Sequence, residues 1–126
     1  MPRRILEESR IHPSIRERVG DYRREILDEV EAAVGREDIV VVGMAMNPFV
    51  RKARRLLDSA GLRHTYLEYG SYLSDWRRRN ALKMWTGWPT LPMVFVKGTL
   101  IGGAADLERL VANGELNALR GTDRSE

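Results

Sequence analysis

The chain has 126 residues, 43% of them hydrophobic and 31% charged, with a formal net charge of +3. That length suits one domain around a single hydrophobic core, and the longest apolar run, residues 39–46, is far too short to cross a bilayer. There is no cysteine, which excludes a disulfide, a thiolate metal ligand and any thiol nucleophile of the chain's own.

No apolar leader follows Met1-Pro-Arg-Arg, so the cytoplasm is the expected compartment. Residues 1–12 and 121–126 are polar and are expected to be flexible ends of one domain spanning 1–126. From Pro13 onward, Ile15, Val19, Tyr22, Ile26, Val30 and Ala33 step by four and three, which predicts one long amphipathic helix. Ser14 with Glu17 offers a capping box at its start and Gly35 a stop at its end. Ile39-Val-Val-Val42 is a β-branched run and predicts a strand buried on both faces. After the loop Gly43–Asn47, Pro48 suits the first turn of a second helix. Phe49, Ala53, Leu56, Leu57 and Ala60 give that helix its apolar stripe, and Gly61 closes it.

Alternation over residues 63–69 predicts a second strand. Ser71 to Met84 reads as a third helix. Gly87-Trp88-Pro89-Thr90-Leu91-Pro92 is a loop rich in helix breakers. Met93–Val96 and Thr99–Ile101 flank Lys97-Gly98, the spacing of a two-residue hairpin. Gly102-Gly103 opens a fourth helix from about Ala104 to Ala112, Asn113-Gly114 stops it, and Glu115–Leu119 forms a last short turn. A β-α-β unit followed by a hairpin and a closing helix predicts an α/β thioredoxin-like fold, a four-stranded mixed sheet with helices on both faces.

Several residues invite chemical readings. Pro92 is a candidate cis-proline, or else one half of a rigid turn; a cis bond would leave the Leu91 backbone open to an extended peptide. Asn47 suits a helix N-cap, with a hydrogen bond to a bound ligand as the alternative. Arg51-Lys52-Ala53-Arg54-Arg55 and Arg77-Arg78-Arg79 are basic clusters, but 18 acidic residues against 21 basic ones is a mild balance, so solvated helix faces are favoured over a nucleic-acid surface. His12 and His64 stand apart from other ligand types, so no metal site is expected. The three tryptophans read as packing residues rather than a stacking platform.

Trp88-Pro-Thr-Leu-Pro92, then Lys97-Gly98, then Ile101-Gly102-Gly103 with Asp106, is similar to the C-terminal half of monothiol glutaredoxins. Arg79, Lys83 and Gly114-Glu115-Leu116 also match, and the resemblance spans residues 38–119. It implies a glutathione groove. Thr90, Leu91 and Pro92 would pair with the tripeptide backbone. Gly103, Ala104, Ala105 and Asp106 at a helix N-terminus would take its γ-glutamyl end, and Arg79 its glycine carboxylate; the competing reading of Arg79 is a solvated member of its arginine run. The active-site segment departs from the family. Asn47-Pro48-Phe49-Val50 stands where the family has Cys-Pro-Tyr-Cys or Cys-Gly-Phe-Ser, so the sulfur positions, Asn47 and Val50, carry no thiol. The preceding lysine is missing too, and Ala104-Ala105 follows Gly-Gly. The expectation is a non-catalytic module with no required cofactor and no iron–sulfur cluster, holding glutathione weakly, or a peptide or protein partner. The alternative is a structural or regulatory interaction protein with a vestigial groove. An enzyme of different chemistry is disfavoured for want of a general base, and no membrane partner is implied.

Overall fold

The computed structural model describes residues 3–120, so the expectation for 121–126 lies outside the described residues. A 3-10 turn at Glu8–Arg10 precedes α1 (Pro13–Asp21), α2 (Arg24–Arg36), β1 (Ile39–Gly43), α3 (Pro48–Ser59), β2 (Thr65–Glu68), α4 (Trp76–Thr86), β3 (Met93–Val96), β4 (Thr99–Gly102), α5 (Ala104–Ala112) and α6 (Glu115–Arg120). The four strands form one sheet in the order β2-β1-β3-β4. β1 runs parallel to β2 and antiparallel to β3, and β3 is antiparallel to β4. This is the mixed four-stranded sheet that the order of elements predicts.

The β-branched run of β1 sits at the sheet centre because it can bury both faces, and alternation sorts its side chains between two layers. Val40 and Val42 pack with Ile26, Val30 and Ala33 of α2 and with Ala81 and Leu82 of α4. Ile39 and Val41 pack with Ala53 and Leu57 of α3, Ala104 and Leu107 of α5, and Leu116 of α6. Lys97 and Gly98 turn the β3–β4 hairpin with φ of 51° and 84°, the doubly left-handed geometry that matches strand twist and that glycine adopts without strain.

Three expectations need correction. The helix predicted from Pro13 to Gly35 is two helices, broken where Arg23 turns left-handed with φ 49°. The apolar spacing runs unbroken across this point, so periodicity carries no trace of the break. Only α2 reaches the sheet; Ile26, Val30 and Ala33 are buried, whereas α1 buries nothing fully. Ser14 is not the cap of α1: His12 is, its Nδ1 accepting from the Ser14 N–H at 3.1 Å. The third helix starts at Trp76 rather than Ser71. Ser71 and Ser74 hold the intervening loop instead, with Ser71 N donating to Ser74 Oγ (3.1 Å) and Leu73 N to Ser71 Oγ (3.2 Å). Serine hydroxyls compete in this way with the helical ladder.

Arg3, at the start of the described residues, contacts α4. Arg3 donates through Nη1 to the Thr86 carbonyl (2.5 Å) and through Nη2 to that of Trp85 (3.3 Å). A cation at the C-terminal end of α4 satisfies carbonyls that the helix leaves unpaired.

Candidate functional site

The register Val42↔Met93 between β1 and β3 brings the loop 43–47 beside Leu91 and Pro92. Ala45 N donates to the Gly70 carbonyl at 2.8 Å, which draws the loop after β2 to the same end of the sheet. The sequence-derived site residues therefore gather at one edge, where β1 feeds α3 and β4 feeds α5. The Leu91–Pro92 peptide bond is cis. Neither the N–H nor the carbonyl of Leu91 is hydrogen-bonded within the described residues. Leu91 and Pro92 are buried, and Thr90 is exposed.

Asn47 occupies the tip of α3 and is only 7% exposed. Its Oδ1 accepts from Phe49 N at 2.8 Å and from Val50 N at 3.1 Å, so it caps the helix as its residue type suggests. Arg51 N donates to the Asn47 carbonyl at 3.2 Å, and Pro48 has no N–H. Every N–H of the first turn of α3 is thus satisfied internally. Val50, at the second sulfur position, is buried in hydrocarbon. Between them Phe49 is 61% exposed, and Met46, held at φ 65°, is 73% exposed.

At the start of α5, Gly103 N donates to Asp106 Oδ2 at 3.0 Å. That bond, with a second contribution from Arg109 at 2.9 Å, lowers the Asp106 pKa below the usual carboxylate range. Gly102 has φ of 116°, and a Cβ there would collide with the Asp106 carboxylate, so glycine is required on both counts. Gly103 lies against the Pro92 carbonyl and the Trp88 indole. The Ala104 and Ala105 N–H groups open α5, where no intrahelical acceptor is available.

Arg79 is not a solvated member of its run. It is 7% exposed, and its Nη1 donates to the carbonyls of Tyr69 (2.9 Å) and Ser74 (2.5 Å). It braces the loop between β2 and α4, while Arg77 is exposed. The loop it braces presents Tyr72 and Leu73 to solvent, and Trp76, the first residue of α4, is exposed beside them. Nearby, Tyr69 donates to Glu29 Oε1 at 2.6 Å, which ties β2 to α2; burial and then this carboxylate push the phenol well above its ordinary value. Among the described residues no group of three histidine or acidic side chains could hold a metal ion, and no helix is long and apolar enough to cross a membrane.

Sequence reasoning missed three features here. Arg3 reaches α4 across 83 positions of chain, a contact with no local signature. Trp88 Nε1 is buried without a partner among the described residues, which only the packed structure reveals. The burial of Arg79 could have been suspected from its spacing, since Arg79, Leu82 and Trp85 step along one helical face.

A glutaredoxin family model matches residues 39–101, the stretch from β1 to β4. The chain belongs to the glutaredoxin family. A glutaredoxin-like protein of Dictyostelium discoideum is 46% identical over 98 residues, covering 78% of this chain and 80% of that protein. Glutaredoxin-3 of Bos taurus is 38% identical over 68 residues, covering 54% of this chain but only 20% of that longer protein. The crystal structure of a buckwheat glutaredoxin–glutathione complex superimposes with a TM-score of 0.67 at 22% identity, covering 79% of this chain and 90% of that one; at that identity the likeness is one of fold. The glutaredoxin framework is therefore intact around a site from which both sulfur positions have gone.

Proposed function

We propose that this glutaredoxin-family chain is a non-catalytic binding module of the cytoplasm whose groove holds an extended peptide, glutathione among them. The observation that supports this most strongly is at Leu91. Its backbone donor and acceptor have no partner within the described residues, next to a helix tip that has exchanged its nucleophile for a buried, capping Asn47. An extended peptide can pair with such a backbone edge. The buckwheat glutaredoxin of the same fold was crystallised with glutathione.

Free glutathione should bind weakly. Two of the groups that would hold its carboxylates have internal partners already: Arg79 Nη1 donates to two carbonyls and Gly103 N to Asp106, while the Ala104 and Ala105 N–H groups remain open among the described residues. Charge-assisted bonds are worth about 1.5–3 kcal/mol each, and about 1.4 kcal/mol is tenfold in affinity. Losing one or two places the dissociation constant in roughly the millimolar range. Isothermal titration with reduced and oxidised glutathione tests the reading. Millimolar binding supports it, and no heat at 20 mM ligand removes glutathione as an occupant.

The same internal satisfaction favours a second reading, an interaction protein whose groove is vestigial. Met46, Phe49, Tyr72, Leu73 and Trp76 are all more than half exposed, and they would supply its apolar contact. Under that reading, substitutions at Phe49 or Leu73 abolish partner binding, while Gly103→Val leaves it unchanged.

A further inference from the structure

The tip of α3 has an unusual polar inventory. An α-helix leaves its first N–H groups without intrahelical partners, and these ordinarily meet an incoming anion. In the first turn none is left, because Pro48 has no N–H, Phe49 N and Val50 N donate to Asn47 Oδ1, and Arg51 N donates to the Asn47 carbonyl, while the backbone N–H of Asn47 itself has no partner among the described residues. The two bonds to Oδ1 fix the orientation of the side-chain amide, since a flipped amide would set NH2 against two N–H donors. Nδ2 must therefore point away from the helix. It has no partner among the described residues and is not sealed from solvent, although Asn47 as a residue is buried. The helix tip thus presents, beside the Asn47 N–H, one side-chain donor, a preorientated NH2 directed away from the helix.

We propose that Asn47 Nδ2 reads an oxygen acceptor on the bound peptide, so that the groove prefers a glutathione-like peptide with a short oxyanion side chain, such as cysteine sulfonate, over one with a free thiol. An amide NH2 is a donor only, whereas a thiol is a weak acceptor and offers it little. A sulfonate presents three oxygen acceptors and a full negative charge, and hydrogen bonds to an ionised acceptor are about twice as strong as neutral ones. The positive end of the α3 dipole and the exposed Arg51 one turn on act in the same direction. The side chain that removes thiol chemistry would then be the one that selects an already oxidised ligand. This inference rests on the binding reading of the groove given above.

The test uses the full chain at pH 7 and low salt, with glutathione sulfonic acid, reduced glutathione and S-methylglutathione as probes. Calorimetry should show the sulfonate binding about tenfold tighter than the thiol or thioether. In 15N-labelled protein, the Asn47 side-chain NH2 cross-peak should move on adding the sulfonate and stay in place at equal occupancy by reduced glutathione. Asn47→Asp keeps two oxygens for the Phe49 and Val50 N–H groups but removes the donor; it identifies the cross-peak by its loss and should abolish the preference. Should that variant not fold, the wild-type cross-peak still decides. Equal affinities for the three probes, a stationary cross-peak at saturating sulfonate, or a preference that survives in Asn47→Asp would overturn the inference and leave the binding reading standing. No binding of any probe would overturn the inference and remove glutathione as an occupant of the groove.

Discussion

Replacing Asn47 by alanine tests the cap on which this description of the site depends. The substitution removes the acceptor of two hydrogen bonds, 2.8 Å from Phe49 N and 3.1 Å from Val50 N. The Val50 bond is buried, so water replaces it poorly. Loss of an N-cap acceptor costs about 0.5–2 kcal/mol, and the burial of this pair places the expected cost at the upper end, about 1.5–2 kcal/mol. For a chain of this size that corresponds to a fall in Tm of roughly 5–8 °C. Asn47→Asp should remain close to wild type, because aspartate caps equally well and sits at the positive end of the α3 dipole. Thermal unfolding followed by circular dichroism, with urea titration at 25 °C as the second measure, separates the three proteins. If alanine is tolerated within a few tenths of a kcal/mol, the amide does not anchor α3, and the assignment of Nδ2 to the groove fails with it.

Other outcomes follow from the same geometry. Arg79→Ala should cost about 2–3 kcal/mol, since it leaves the carbonyls of Tyr69 and Ser74 without their charged donor, and hydrogen exchange should rise first in the loop 70–75. Asp106→Asn should remove a pH dependence. The folded-state pKa lies below the ordinary value of about 3.9, so Asp106 contributes stability that is fully present above that value and is lost as pH falls through the folded one; the variant's urea midpoint should lack this acid limb. Asn47→Cys would place a thiol where two backbone N–H groups converge, so its pKa should fall below about 8.5, and mass spectrometry after incubation with oxidised glutathione should show one glutathione adduct that wild type never acquires.

The sheet was legible because its signals are local. The β-branched run Ile39–Val42 reads as a strand buried on both faces, Lys97-Gly98 sits at hairpin spacing, and Pro48 and Gly102-Gly103 mark where strands give way to helices. The gathering of Asn47, Leu91, Pro92 and Gly103 at one edge follows from that order of elements. What escaped the sequence depends on contacts remote in the chain or on one residue's backbone. Arg23 breaks a helix without interrupting its apolar period. Ser71 and Ser74 carry helix-compatible spacing yet bond to each other's backbone. Arg79 sits in a run of three arginines, and only packing separates the one that is buried from its neighbours. The internal partner of Gly103 N belongs to the same class, because a carboxylate at Asp106 could equally have pointed to solvent.

The central claim is that a complete glutaredoxin framework here performs no thiol–disulfide exchange. Its most direct test is the glutathione-dependent reduction of a small mixed disulfide, followed by NADPH oxidation through glutathione reductase over a wide range of protein concentration. The account predicts a rate that stays at the buffer value at every concentration, with Asn47→Cys as the control that rises above it. A wild-type rate proportional to protein concentration, surviving a second purification, would contradict it.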